Sequence, residues 1–142
     1  MAIIFYSEDV KKPRLKFTQI KEWIRNTIKL YGKKEGNINY IFCSDEYIID
    51  INKKYLEHDY FTDIITFDYC ENDTTNGDIY ISLERVEENA IMYGTQDDEI
   101  YRVIIHGILH LCGFEDNTPE EIEEMRRMED EALKQLNNYL GN

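Results

Sequence analysis

His106-Gly107-Ile108-Leu109-His110-Leu111-Cys112-Gly113-Phe114-Glu115-Asp116 closes a segment whose apolar residues recur at helical spacing, and its reading decides the fold. Ile100, Val103, Ile104, Ile108 and Leu111 share one side, and Tyr101, Ile105 and Leu109 make the flank apolar as well. The pattern predicts a central, mostly buried helix, N-capped by Thr95 with Asp98 at the capping-box position and stopped by Gly113. One polar stripe remains, Glu99, Arg102, His106 and His110, and it must face whatever cleft interrupts the packing.

Histidines four apart on a helix project side by side, and two neutral imidazoles at that spacing can hold one divalent cation. Asp116, just past the Gly113 turn, is positioned to be the third ligand. Three protein ligands leave a fourth position open for water, the arrangement of a catalytic rather than a structural metal. A pair of hydrogen-bonded histidines beside a core is the alternative. The residue after His106 is Gly107, where a zinc peptidase of the H-E-x-x-H type needs its glutamate base, so peptidase chemistry is disfavoured.

The rest of the chain alternates strands and helices. Ala2 to Tyr6 reads as a short strand, and Thr18 as the cap of an amphipathic helix with Ile20, Trp23, Ile24, Ile28 and Tyr31 on one side, stopped at Gly32. Ile38 to Phe42 alternates as a strand, and Ser44 opens a helix running to Tyr55. Ile64 to Tyr69 and Asp78 to Ser82 read as strands joined through a turn at Asn76-Gly77. Ser82 caps a helix ended by Gly94, and Thr118-Pro119-Glu120-Glu121 starts a last acidic helix with a capping box. This order predicts an α+β domain over residues 1–142, a mixed sheet of about four strands packed with about five helices. The His helix would be the buried one, its C-terminal end opening into a cleft lined by the Leu56 to Thr66 loop.

At 142 residues and 42% hydrophobic, the chain can bury a proper core without disulfides or a structural metal. Cys43, Cys70 and Cys112 are odd in number and scattered, which fits core filling in a reducing cytoplasm. No long apolar run or leader pattern stands out, so neither a membrane span nor a secretion signal is expected. The net charge of -13 is the wrong sign for a generic nucleic-acid binder. It is lopsided, however: residues 1–34 hold nine Lys or Arg against three acids, either a solvated helix face or a basic face that guides RNA.

The run His106 to Asp116 resembles the signature of the YbeY family of bacterial metal-dependent endoribonucleases, H-G-x-L-H-L-x-G-(Y/F)-(D/E)-H. Asn52, Tyr55, Asp59 and Thr62 to Phe67 resemble the family's N-x-x-Y-x-x-x-D-x-x-T-D-V-L-S-F, and Gly77 to Ser82 its G-D-I-x-I-S. Met125, Glu129 and Leu133 stand where its last helix has M-x-x-x-E-x-x-x-L. Ordered motifs from about Ile38 to Leu136 carry the likeness.

The resemblance implies a cytoplasmic endoribonuclease that cuts single-stranded ribosomal RNA, with roles in rRNA 3′-end maturation and ribosome quality control, and with RNA and ribosomal particles rather than DNA as partners. Its cofactor would be one divalent ion, zinc, held by His106, His110 and Asp116. Asp116 replaces the family's third histidine, and a carboxylate oxygen there makes manganese more competitive. Leu56 stands where the family has an arginine, leaving His58 and Arg102 as the candidate catalytic residues that could contact a phosphate. Asp59 and Asp63 are read as loop-holding residues without chemistry. Competing readings are a metallohydrolase of another substrate class, a ribosome-associated RNA-binding module with a weakened metal site, and a protein with a purely structural metal.

Overall fold

A computed structural model describes residues 2–56 and 62–141. Segments rich in isoleucine and aromatic residues, which suit a pleated and half-buried surface, form β1 (Ile3–Ser7), β2 (Lys34–Cys43), β3 (Ile64–Asp68) and β4 (Thr74–Ser82). The strand order is β1-β2-β4-β3, parallel across β1/β2 and β2/β4 and antiparallel across β3/β4. Five helices accompany the sheet: α1 (Phe17–Leu30), α2 (Asp45–Tyr55), α3 (Leu83–Tyr93), α4 (Glu99–Leu111) and α5 (Pro119–Leu140). This is the expected α+β arrangement, and among the described residues no helix is long and apolar enough to cross a membrane.

Alternation along the strands sends side chains to both faces of the sheet. Phe5, Ile38, Tyr40, Phe42, Ile79 and Ile81 join the larger core with Trp23 of α1 and Ile104 and Ile108 of α4. On the other face Cys43 and Ile65 pack with Ile48 and Ile51 of α2. A third cluster, Leu109 with Met125 and Met128, seals α4 against α5, so α4 is covered on opposite sides. Trp23 Nε1 donates to the Ala132 carbonyl at 2.9 Å, tying α1 to α5, and Tyr40 Oη donates to the Ile104 carbonyl inside α4 at 2.7 Å.

Two glycines let α4 lie close to the sheet. A β-carbon on Gly107 would stand 3.0 Å from Ile79 and 3.3 Å from Ile64, and one on Gly77 would stand 2.6 Å from the Phe67 carbonyl and 2.9 Å from Leu111. Gly107 therefore faces the sheet, so the glutamate that an H-E-x-x-H enzyme carries there would point into the core. This contact brings the polar stripe of α4 beside the start of β3.

Several expected boundaries differ. The turn between β3 and β4 is at Asn72, with φ of 55°, and Glu71 bridges to Thr74, whereas Asn76 and Gly77 lie inside β4. Gly77 is a close-approach glycine, and the turn motif misled for that reason. Thr18 lies inside α1, which begins after Lys16 with no side-chain cap. Thr95 opens a preceding turn: its carbonyl accepts from Asp98 N and Glu99 N, and α4 proper starts after Asp98. The caps at Ser44 and Ser82 and the Thr118–Glu121 capping box form as expected, each serine or threonine oxygen accepting from the backbone N–H three residues on.

Candidate metal centre

The three expected ligands converge because of how α4 ends. Gly113 takes φ of 102°, and Phe114 N donates to the Leu109 carbonyl at 3.1 Å, so the chain folds back over the helix terminus. Phe114 then anchors its ring edge-on against Tyr31, 5.0 Å between centroids. Asp116 is thereby returned to the two histidines one turn apart on α4. Asp116 Oδ2 lies 3.4 Å from His106 Nε2 and 3.5 Å from His110 Nε2, and the two Nε2 atoms are 2.9 Å apart. Among the described residues this is the one His, Cys, Asp or Glu group with metal-site spacing.

The donor set fits a divalent ion. His110 Nδ1 donates to the Phe114 carbonyl at 2.8 Å, which can only accept, so the lone pair of Nε2 is left facing the centre. His106 Nδ1 meets Glu129 Oε2 at 2.6 Å and is fixed in the same sense. Two imidazole nitrogens and one carboxylate oxygen suit zinc, and tetrahedral bonds of about 2.0–2.1 Å would separate ligand atoms by about 3.3 Å. The observed separations bracket that distance.

Glu129 extends the network. Arg102 donates to its Oε1 at 2.9 Å and to Asp130 Oδ1 at 2.7 Å. Glu129 is only 5% exposed, and a chain of His, Glu and Arg runs from the centre between α4 and α5. Burial opposes a charge on His106, but the hydrogen bond and charge of Glu129, helped by Asp116 and Asp63, outweigh it and raise the pKa of the imidazole. Burial likewise opposes the Glu129 carboxylate, and the hydrogen bonds from His106 and Arg102 more than compensate, so its pKa is lowered.

A cleft opens around the centre, lined by Asp63, Ile64, His106 and Asp116 and continuing in two directions. The Thr62 to Thr66 part of the expected loop lines it, and the Glu99 and Arg102 stripe faces it. His58 and Asp59 lie outside the described residues. Leu56 ends α2, is 39% exposed and is not a lining residue of this cleft. No described residue of the basic segment 1–34 lines it either.

Sequence reasoning missed three residues. Asp63, expected only to hold its loop, faces both directions of the cleft; burial raises its pKa against the opposing pull of His106, and Asn89 Nδ2 donates to its Oδ2 at 3.4 Å. Glu129 had a readable signal, since it falls on the apolar stripe Met125, Met128, Ala132 and Leu136, and an acid on a buried face needs partners. Arg126 carries no such signal.

The Endoribonuclease YbeY family model matches residues 5–137. The chain belongs to the YbeY family. Among its relatives, Endoribonuclease YbeY of Bacteroides thetaiotaomicron is 53% identical over 134 residues, covering 94% of this chain and 98% of that one. The protein of the same name from Parabacteroides distasonis is 51% identical, with 94% of each chain covered. A solution structure of a Thermotoga maritima protein superposes with a TM-score of 0.65 at 29% identity, covering 96% of this chain and 93% of that one. The family's third histidine is Asp116 in this chain, and the geometry accommodates the exchange because the carboxylate oxygen reaches both Nε2 atoms.

Proposed function

We propose that this chain is a metal-dependent endoribonuclease of single-stranded RNA, acting in the cytoplasm on ribosomal RNA, with zinc or manganese held by His106, His110 and Asp116. The observation that carries the reading is the convergence of three ligand atoms, within 4.8 Å of one another, at the floor of a cleft in a chain whose relatives are named endoribonucleases. A bound divalent ion supplies Lewis acidity at a phosphoryl oxygen and lowers the pKa of water. Domain extent follows the same reading, one catalytic domain over residues 1–142.

The chain's own groups divide the remaining work. Glu129 and the Phe114 carbonyl hold the two imidazoles in the tautomer that points Nε2 at the centre. Arg102, engaged with Glu129 and Asp130, is a positioning residue that keeps Glu129 ionised. Asp63 is the cleft carboxylate suited to accept a proton, because burial brings its pKa toward the working range. His58 is retained as a candidate phosphate contact on the strength of its place in the sequence alone.

The reading is tested by incubating the metal-loaded protein with one oligonucleotide sequence as single-stranded RNA, as RNA duplex and as single-stranded DNA. Cleavage confined to the single-stranded RNA and abolished by a chelator is expected. Equal cleavage of all three, or none of any, contradicts it.

A further inference from the structure

The two directions of the cleft differ in charge. Toward Thr66, Asp68, His110 and Glu115 the lining contains, among the described residues, carboxylates and no Lys or Arg. Toward α3 and α5 it contains Asn89, Tyr93, Arg102 and Arg126 beside Glu99 and Glu129, so two arginines offset two carboxylates there. A polyanion leaving the centre meets uncompensated carboxylates along the first path and compensated ones along the second.

Of the two arginines, Arg102 is committed to Glu129 and Asp130. Arg126 is exposed and makes no ion pair or hydrogen bond among the described residues. Of its acidic neighbours on α5, Asp130 accepts from Arg102, Glu129 from Arg102 and His106, and Glu124 pairs with Arg127, while Glu123, one turn back, makes no ion pair with it. Its planar fork is therefore available for a phosphate. Across the same cleft stands Tyr93, the last residue of α3, an aromatic ring 65% exposed beside the Gly94 cap. An exposed ring and a free guanidinium on opposing walls are what a single-stranded nucleotide needs, since an unpaired base stacks and its phosphate pairs.

We propose that Arg126 and Tyr93 form a nucleotide subsite beside the metal centre, Arg126 holding the phosphate adjacent to the one being cut and Tyr93 stacking on its base. This rests on the endoribonuclease reading and deepens it: the bound strand runs over α3 and α5, and Arg126 supplies a cation where Leu56 supplies none. The contact forms in the ground state as well as the transition state, so it acts on binding rather than on turnover.

The test uses zinc-loaded protein, a fluorescein-labelled 2′-O-methyl oligouridine resistant to cleavage for binding, and the unmodified oligouridine for turnover. Arg126→Gln is expected to weaken binding and raise KM roughly tenfold, leave kcat and metal content unchanged, and flatten the dependence of log affinity on log salt by about 0.7. Tyr93→Ala is expected to weaken binding at least about fivefold and Tyr93→Phe to preserve it. Arg127→Gln, with its partner on the same helix, should leave the salt slope as it is. Wild-type binding with unchanged affinity and slope in Arg126→Gln overturns the subsite while the endoribonuclease reading stands. Metal loss in Arg126→Gln also overturns it, by making the residue structural. A wild type that neither binds nor cuts RNA overturns both readings.

Discussion

Glu129 Oε2 lies 2.6 Å from His106 Nδ1 while Glu129 Oε1 accepts from Arg102 at 2.9 Å, so one buried carboxylate connects an imidazole of the candidate metal centre to a fixed cation. A carboxylate behind a ligating histidine sets its tautomer and raises its basicity. Glu129→Gln keeps the shape and removes the charge. It should lower metal affinity roughly ten- to a hundredfold with the fold retained, measured by competition against a chromogenic chelator. Unchanged affinity would show that Glu129 only fills space.

The same pair sets the pH dependence of the metal-free protein. Glu129 titrates below its ordinary 4.5 in the folded state, so its contribution is present above that value and lost as pH falls through the lowered pKa. His106 titrates above its ordinary 6.5, so its contribution is complete below 6.5 and lost as pH rises through the raised pKa. Metal-free protein should therefore lose Tm on going from about pH 6 upward, while the gain from added metal grows, because coordination needs a deprotonated imidazole. A metal-free Tm that rises over that range would contradict the His106–Glu129 linkage.

Much of this centre was legible in the sequence, for reasons particular to its residues. His106 and His110 are local: helical periodicity fixes their common face, and Gly113 announces the reversal that returns Asp116. The existence of about four strands in a mixed sheet followed from runs of isoleucine and aromatic residues, whereas their order β1-β2-β4-β3 did not. What could not be read depended on long-range placement. Asp63 meets His106 because Gly107 and Gly77 let α4 settle against the sheet, and Arg126 reaches the cleft because α5 packs on α4. The Asn76-Gly77 pair shows the opposite failure: a sound local turn signal is overridden by Leu111 packing across it, and the turn moves to Asn72.

Asp116→His should retain the metal and move its preference toward zinc over manganese, as an imidazole nitrogen replaces a harder charged oxygen. Equilibrium competition between the two ions would show it. No change in preference, or complete metal loss, would mean that Asp116 is not a ligand.

Asp63→Asn tests the proton acceptor. Metal content should be unaffected, kcat should fall roughly a hundredfold or more, and the acidic limb of the rate profile should disappear with the carboxyl. A variant with wild-type kcat would remove Asp63 from the chemistry; one that loses metal would make it part of the centre's support.

The central claim is that His106, His110 and Asp116 hold the ion on which RNA cleavage depends, and one titration addresses it. Protein stripped with a chelator is given zinc or manganese in increments, and cleavage of a single-stranded RNA is followed alongside bound metal in the wild type and in His110→Ala. Activity in the wild type should rise in step with binding and level off at about one ion per chain, while His110→Ala binds little and stays inactive. Cleavage by the stripped wild type, or metal-supported cleavage by His110→Ala at the wild-type level, would contradict the account.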